Sequence, residues 1–303
     1  MIPLQFNQLE DEKKKQVVVK FYEQIIEHRS EIKIKEIDDW CNDNLIIDGK
    51  TYNFKSVVCA KYNELIKIKE YIDTNNISLQ PFIRVNSKRK KICYIVDTLY
   101  DGMGSENRRY IVKKLEVTSC PYCNRNYINS TAEVNTCHLD HFLNKDDYPI
   151  FAVSFYNLIP VCPACNVIKG KKEFSYSPHN TNISTDEMIR FSYHFSNVDF
   201  LQNRDSLKID VKVLNDIIRK NIEAVDLENL YQIHSDIVQE LIKKSIIYGK
   251  TYVEEIMSDY KGLFDSKEEA YRVLFSTYTN EDEYGKRTLS KLMKDILAEL
   301  DLI

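Results

Sequence analysis

Four cysteines form two pairs, Cys120 with Cys123 and Cys162 with Cys165, and two residues separate the members of each pair. This is the ligand pattern of a structural zinc site, because four thiolates complete a tetrahedral shell around one ion. The spacing therefore predicts a zinc site with four cysteine ligands. Such a site needs no further ligand, so polar side chains placed between the pairs require another explanation.

Asp140 and His141 are adjacent in the stretch between the cysteine pairs. A carboxylate is a hard ligand that suits Mg²⁺ or Mn²⁺. A neutral imidazole can accept a proton from water at physiological pH. An Asp-His pair alone is common and usually structural, but its position between two zinc knuckles favours a catalytic role.

We expect the segment around these residues to fold as two strands and a helix. Residues 125–128 and 136–142 predict two strands that pair with each other. Residues 163–170 predict a short helix, because the segment begins at a proline and ends at a glycine. Strand alternation puts His138 on the same face as Asp140, so His138 is a further candidate for a metal or phosphate contact.

Helical periodicity dominates on both sides of this segment. Apolar residues at helical spacing predict helices over 17–26 and 57–68. The Asp-Gly turn within 45–52 predicts a short hairpin or a loop excursion between them. Helix is expected again from about residue 206, where apolar stripes indicate a core or a subunit contact. Those stripes include Leu214, Ile217, Ile218, Ile222, Leu230 and Ile233.

Near the C-terminal end, Ser266 followed by Glu269 predicts a capped helix that buries Val273 and Leu274. The fold class expected is α+β and mostly helical, with a central metal-binding core between two helical regions. The domain organisation expected is an N-terminal helical region over 1–116, the core over 117–180 and a C-terminal helical region over 181–303.

Composition excludes several classes of protein. Of the 303 residues, 43% are hydrophobic and 29% are charged, which is typical of a folded chain and not of a disordered one. There is no run of about 18 apolar residues, so no membrane span is expected. Without a signal-like N-terminus, paired cysteines favour a reduced, cytoplasmic zinc protein. There is no glycine-rich phosphate loop, which argues against ATP hydrolysis by this chain.

The formal net charge of −4 provides no general attraction to nucleic acid. Basic clusters at 88–91, at 108–114 and at 169–172 could provide it locally. A single cluster of this kind is usually a solvated helix face. The third cluster directly follows the second cysteine pair, and its position favours a phosphate contact.

Four short motifs carry a family resemblance. They read Cys-Pro-Tyr-Cys, Leu-Asp-His-Phe, Tyr-Asn-Leu-Ile-Pro-Val-Cys and Cys-Pro-Ala-Cys-Asn-x-x-Lys-Gly. In this order they resemble the HNH endonucleases, in particular the branch whose ββα-metal core carries two Cys-x-x-Cys pairs. The resemblance covers about residues 117–175. The flanks, including residues 286–292, look like bacterial HNH proteins of phage-defence operons, among them the Septu type, which works beside an ATPase.

The resemblance implies a role for each residue that matches the motif. Asp140 would ligate a catalytic Mg²⁺ or Mn²⁺, and His141 would act as the general base. Asn157 would orient the loop and the histidine, and Asn166 would aim its carbonyl oxygen at the metal, although many relatives have histidine there. The expected candidates for nucleic-acid contacts are Lys169, Arg125, Lys171 and Lys172.

The activity implied is hydrolysis of phosphodiester bonds to 5′-phosphate and 3′-hydroxyl ends, with DNA favoured and RNA as the other substrate. The helical flanks would dock an ATPase or form a homodimer. The alternative is a noncatalytic zinc module that binds nucleic acid or protein. Asp140, His141, Asn157 and Asn166 discriminate between the two, because a noncatalytic module does not need them.

Overall fold

The structure is a computed structural model that describes residues 1–82, 94–131, 133–248 and 251–303. The basic cluster at 88–91 and Cys93 lie outside the described residues. The chain divides into two compact units. The first unit comprises Phe6–Glu116 and Asn129–Asn166, and the second unit comprises Met1–Gln5, Val117–Ile128 and Val167–Ile303.

The first unit is mainly helical and contains two small two-stranded antiparallel sheets. Its elements are α1 Asp11–Ile26, α2 Glu31–Asn44, β1 Ile46–Ile47, β2 Lys50–Thr51, α3 Phe54–Cys59, α4 Tyr62–Thr74, α5 Ser105–Leu115, β3 His138–His141 and β4 Leu158–Val161. A further helix, α6, covers Pro163–Lys169 and begins in this unit.

The helices of the first unit follow the apolar pattern of the sequence. In α1 the buried side chains Val18, Phe21, Tyr22 and Ile25 recur at helical spacing, which confirms the helix expected over 17–26. The helix expected over 57–68 is divided into α3 and α4, because Ala60 leaves the helical conformation. Each half buries its own apolar residues, so the expected pattern fits two short helices.

The Asp-Gly turn forms the expected hairpin. Asp48 and Gly49 have φ values of 50° and 76°, and Ile47 pairs with Lys50 across them. Positive φ at both central residues is the geometry of a type I′ turn, which matches the twist of the two strands.

The second unit contains the remaining helices and one longer hairpin. Its elements are α7 Thr185–Met188, β5 Ile189–Phe195, β6 Leu207–Val213, α8 Arg219–Ala224, α9 Leu227–Tyr231, α10 Ser235–Ile247, α11 Tyr252–Asp259, α12 Lys267–Phe275 and α13 Ser290–Glu299. The fold is therefore α+β and mostly helical, as the sequence predicted. No helix among the described residues is long and apolar enough to cross a membrane.

Two expectations for the segment that begins near residue 206 are wrong. Helix was expected from about residue 206, but residues 207–213 form β6, which pairs along its length with β5. The stripes are also less continuous than expected, since Leu214 and Ile233 are exposed. The alternating apolar residues of β6 carried a period-2 signal that favours a strand.

The helix expected after Ser266 is confirmed as α12, since the Ser266 hydroxyl accepts a hydrogen bond from the Glu269 amide. Its buried face was predicted wrongly. Val273 is 59% exposed, whereas Tyr271 and Phe275 are buried.

Candidate functional site

Strands β3 and β4 form an antiparallel pair that leads into α6. Asp140 lies opposite Ile159, and His138 lies opposite Val161. The expected helix over 163–170 is confirmed as α6, which ends at Lys169 directly before Gly170, whose φ is 51°. A strand, strand and helix therefore follow one another, with Asp140 and His141 at the end of the first strand.

The expected pairing of residues 125–128 with residues 136–142 is wrong, because the partner of β3 is β4. Within 125–128, Tyr127 forms only an isolated bridge with Ser119, and the Ile128 amide donates to the Thr118 carbonyl. The chain folds back locally around the first cysteine pair, so residues 125–128 are unavailable to a distant strand.

The four paired cysteines lie together. Their Sγ atoms are all within 4.8 Å of one another, and all four side chains are buried. Tetrahedral zinc with Zn–S bonds of about 2.3 Å requires sulfur atoms roughly 3.8 Å apart, so small side-chain movements suffice. The cluster fits a structural metal such as zinc, as the spacing predicted.

Each cysteine pair also receives a backbone hydrogen bond. The Arg125 amide lies 3.4 Å from Cys123 Sγ, and the Cys165 amide lies 3.4 Å from Cys162 Sγ. In both cases the amide donates to sulfur. A donor aimed at sulfur favours the thiolate over the thiol, and the thiolate is the form that binds metal.

The Arg125 side chain contacts two residues of the second unit. Its Nε donates to His234 Nε2 at 3.0 Å, and its guanidinium lies 5.9 Å from the Tyr231 ring centroid. The Tyr231 hydroxyl in turn donates to the Cys123 carbonyl at 2.6 Å. Arg125 therefore supports the first cysteine pair, and its expected contact with nucleic acid stays a prediction.

These contacts predict a pH dependence of stability. Burial, followed by the charge of Arg125, lowers the pKa of His234 below its ordinary value of 6.5. The unfolded chain therefore binds this proton more readily than the folded chain, so the free energy of unfolding should fall as pH drops below about 6.5. We expect His234→Gln, whose side-chain oxygen can still accept from Arg125, to flatten this dependence in thermal melts between pH 5 and 8. An unchanged dependence in that variant would contradict the assignment.

His141 is held in one orientation by two contacts. Its side chain is 8% exposed, and its Nε2 lies 2.9 Å from the Ala152 carbonyl oxygen. A carbonyl can only accept, so Nε2 carries the proton and, in the neutral ring, Nδ1 carries the lone pair. The Tyr100 ring packs edge-on at 4.3 Å between centroids.

Tyr100 is a residue of the site that sequence analysis missed. Its hydroxyl donates to the Leu139 carbonyl at 2.9 Å, and burial raises the pKa of Tyr100, so the phenol remains a donor. Tyr100 thus supports β3 and the ring of His141 together. No motif marks it in the sequence, because it lies far before the strand that it contacts.

Asp140 and His138 share the other face of β3. Asp140 is 6% exposed and His138 is exposed. The Asn166 side-chain amide lies 3.2 Å from His138 Nδ1. Because an amide nitrogen can only donate, Nδ1 accepts, and Asn166 Oδ1 remains the acceptor end of the carboxamide. His138 therefore connects the start of β3 to α6.

Asn157 is fully buried and bonds to the loop between β3 and β4. Its Nδ2 donates to the carbonyls of Leu143 and Phe151 at 3.1 and 3.0 Å, and its Oδ1 accepts from the Leu143 amide at 2.7 Å. The Asn157 carbonyl also accepts from the Phe142 amide at 2.9 Å. These bonds fix the chain directly after His141.

The three candidate lysines differ in exposure. Lys169 is 2% exposed, and its ammonium lies 5.3 Å from the Phe174 ring centroid, so it does not present its charge to solvent. Lys171 and Lys172 are exposed, and Lys172 Nζ donates to the Ala224 carbonyl at 2.8 Å. A phosphate contact at Lys169 would require the buried ammonium to move out.

No family model and no solved structure matches the chain. One similar protein is the Septu protein PtuB of Bacillus thuringiensis, which is 30% identical over 149 residues. The match covers 44% of this chain and 55% of that protein, so the chain spans about half the length of this curated relative.

Proposed function

We propose that this chain is a metal-dependent endonuclease of the HNH type that cuts nucleic acid, with DNA favoured and RNA as the alternative. The observation that carries the proposal is His141, whose Nε2–H donates to Ala152 and whose Nδ1 is thereby the basic nitrogen. Asp140, the residue before it, offers its carboxylate on the other face of β3. A noncatalytic zinc module would have no use for an imidazole held in one tautomer.

In the proposed reaction, His141 Nδ1 takes a proton from the water that attacks phosphorus. Asp140 and Asn166 Oδ1 are hard oxygen ligands suited to Mg²⁺ or Mn²⁺, whose charge would stabilise the phosphoryl oxygens and the leaving 3′ oxygen. The products are 5′-phosphate and 3′-hydroxyl ends. His138, by holding the amide of Asn166, acts as a positioning residue, and Asn157 holds the loop that follows His141.

The remaining proposals concern the biological setting. The similarity to the Septu protein PtuB supports a role in bacterial anti-phage defence. By the resemblance noted in the sequence, we propose that the enzyme works in the cytoplasm beside an ATPase. The helical regions over 1–116 and 181–303 would provide the docking surface for that partner or for a second copy of the chain.

A nuclease assay tests the proposal. Purified protein is incubated with plasmid DNA and with total RNA, with no added divalent ion, with Mg²⁺ and with Mn²⁺. We expect cutting only with added metal, and Asp140→Asn should need higher metal concentrations because the substitution removes the charge of the ligand. If neither nucleic acid is cut with either metal, alone or with an ATPase encoded beside the gene, the enzyme proposal is wrong.

A further inference from the structure

A basic groove runs between α1 and α5 in the first unit. It has a volume of about 390 Å³. Helix α1 contributes Lys13, Gln16 and Lys20 to its walls, and α5 contributes Tyr110 and Lys114. The two helices are tied together at this point, because the Tyr110 hydroxyl donates to the Val17 carbonyl at 3.1 Å. The walls of the groove are therefore fixed relative to each other.

The cations of the groove are poorly neutralised. Lys20 and Lys114 form no ion pair with any described residue, and Lys13 contacts only the exposed Glu10 at 3.7 Å. Glu116 is the acidic residue among those that line the groove. Three cations therefore face one carboxylate. By contrast, the open pocket beside α4 includes Asp73, Asp146 and Asp147 in its lining and would repel an anion.

The basic residues of the cluster at 108–114 lie on different sides of α5. Arg108 is used internally, since its Nε and its NH2 group donate to the Met103 and Tyr100 carbonyls. Arg109 and Lys113 form no ion pair with any described residue and extend the basic surface next to Tyr110 and Lys114. The structure thus brings Lys114 of this cluster beside Lys13 and Lys20 of α1, which are distant in sequence.

The spacing of the lysines suits a regularly charged polymer. Lys13 and Lys20 are separated by two helical turns, about 10 Å along α1. That distance equals roughly three base-pair steps of 3.4 Å along the axis of a double helix. Lysine and glutamine side chains are also common partners of phosphate oxygens.

We infer that the groove between α1 and α5 binds the phosphate backbone of a nucleic acid. That this nucleic acid is also the substrate of the enzyme rests on the proposed function. The groove and the proposed site belong to the same unit, because the Phe21 ring of α1 packs 5.6 Å from the ring of Phe155, two residues before Asn157. A strand bound along the groove is held by the unit that carries Asp140 and His141.

The test measures binding without cleavage. Fluorescently labelled DNA and RNA are titrated with the full chain at several salt concentrations, with no added Mg²⁺ or Mn²⁺, and anisotropy is recorded. In the variant Lys20→Gln/Lys114→Gln, we expect the slope of log K against log salt to become shallower by about 2 and binding at ~0.1 M salt to weaken roughly tenfold.

The matched control is Lys35→Gln/Lys67→Gln, which removes two exposed lysines that pair with Asp39 and Asp48. It changes the net charge equally and should leave the slope unchanged. Equal effects of the two double variants overturn the inference, as does a wild-type chain that binds neither nucleic acid at low salt. Binding of poly-glutamate in preference to nucleic acid also overturns it and assigns the groove to an acidic protein.

The binding result is separable from the proposed activity. If the groove variant loses binding and the wild type cuts nothing, the groove inference holds and the enzyme proposal fails. If the wild type cuts nucleic acid and the groove variant binds as tightly as the control, only the groove inference fails.

Discussion

Replacing His141 with glutamine is expected to reduce the rate of cleavage by about 10²- to 10⁴-fold, which is the usual contribution of a general base. Glutamine keeps an N–H that can donate to the Ala152 carbonyl, but it cannot accept a proton from water near neutral pH. The measurement is the initial rate of cutting at saturating metal. A thermal melt of the same sample establishes that the variant is folded.

The matched control for this experiment is His194→Ala. His194 is an exposed histidine on β5 whose Nδ1 lies 2.8 Å from Asp210, within the second unit. It belongs to no proposed site, so its loss should leave the rate unchanged. A His141→Gln enzyme that cuts as fast as this control would remove His141 from the mechanism.

Replacing Cys162 with serine is expected to release the metal and to unfold the region around the cysteine cluster. Structural zinc contributes about 10–16 kcal/mol of binding free energy in zinc-finger peptides, which matches or exceeds the roughly 5–15 kcal/mol net stability typical of a whole protein. With only three thiolates left to bind the metal, the region around the cysteine cluster should therefore unfold. Zinc content by elemental analysis and the midpoint of thermal unfolding are the two readouts.

Cys137→Ala provides the matched control for the metal experiment. Burial raises the pKa of Cys137 to about 11, and its thiol donates to Asn135 Oδ1 at 3.2 Å, so it remains a protonated thiol and not a zinc ligand. Its replacement should cost only packing free energy and leave the zinc content unchanged. Equal zinc content and melting temperature in Cys162→Ser and Cys137→Ala would show that the cluster does not hold a structural metal.

Features that depend on neighbours in sequence were predictable. The turn at Asp48-Gly49 depends on the backbone freedom of those two residues, and helix α6 depends on a proline at its start and a glycine after its end. The metal ligands were equally predictable, because a spacing of two residues lets the sulfur atoms of both cysteines in a pair reach the same ion.

Strand partners were not predictable from the same patterns. An alternating segment indicates a strand, but it does not indicate which other segment will pair with it. Residues 125–128 are used locally by the turn around the first cysteine pair, so β3 pairs with β4, even though β4 contains Pro160. The β5–β6 hairpin was missed because helix was expected from about residue 206, although the apolar stripe that suggested it begins only at Leu214, after β6.

The sequence by itself determined the chemistry that this chain can offer: four thiolates, an adjacent carboxylate and imidazole, and two asparagines near them. Only the tertiary structure decided how those groups are held. It placed Ala152 and Tyr100 against His141, joined Asn166 to His138, and buried the charge of Lys169. The physical reason is that residue type and spacing fix what a side chain can do, whereas tautomer, orientation and exposure depend on contacts with residues far away in the chain.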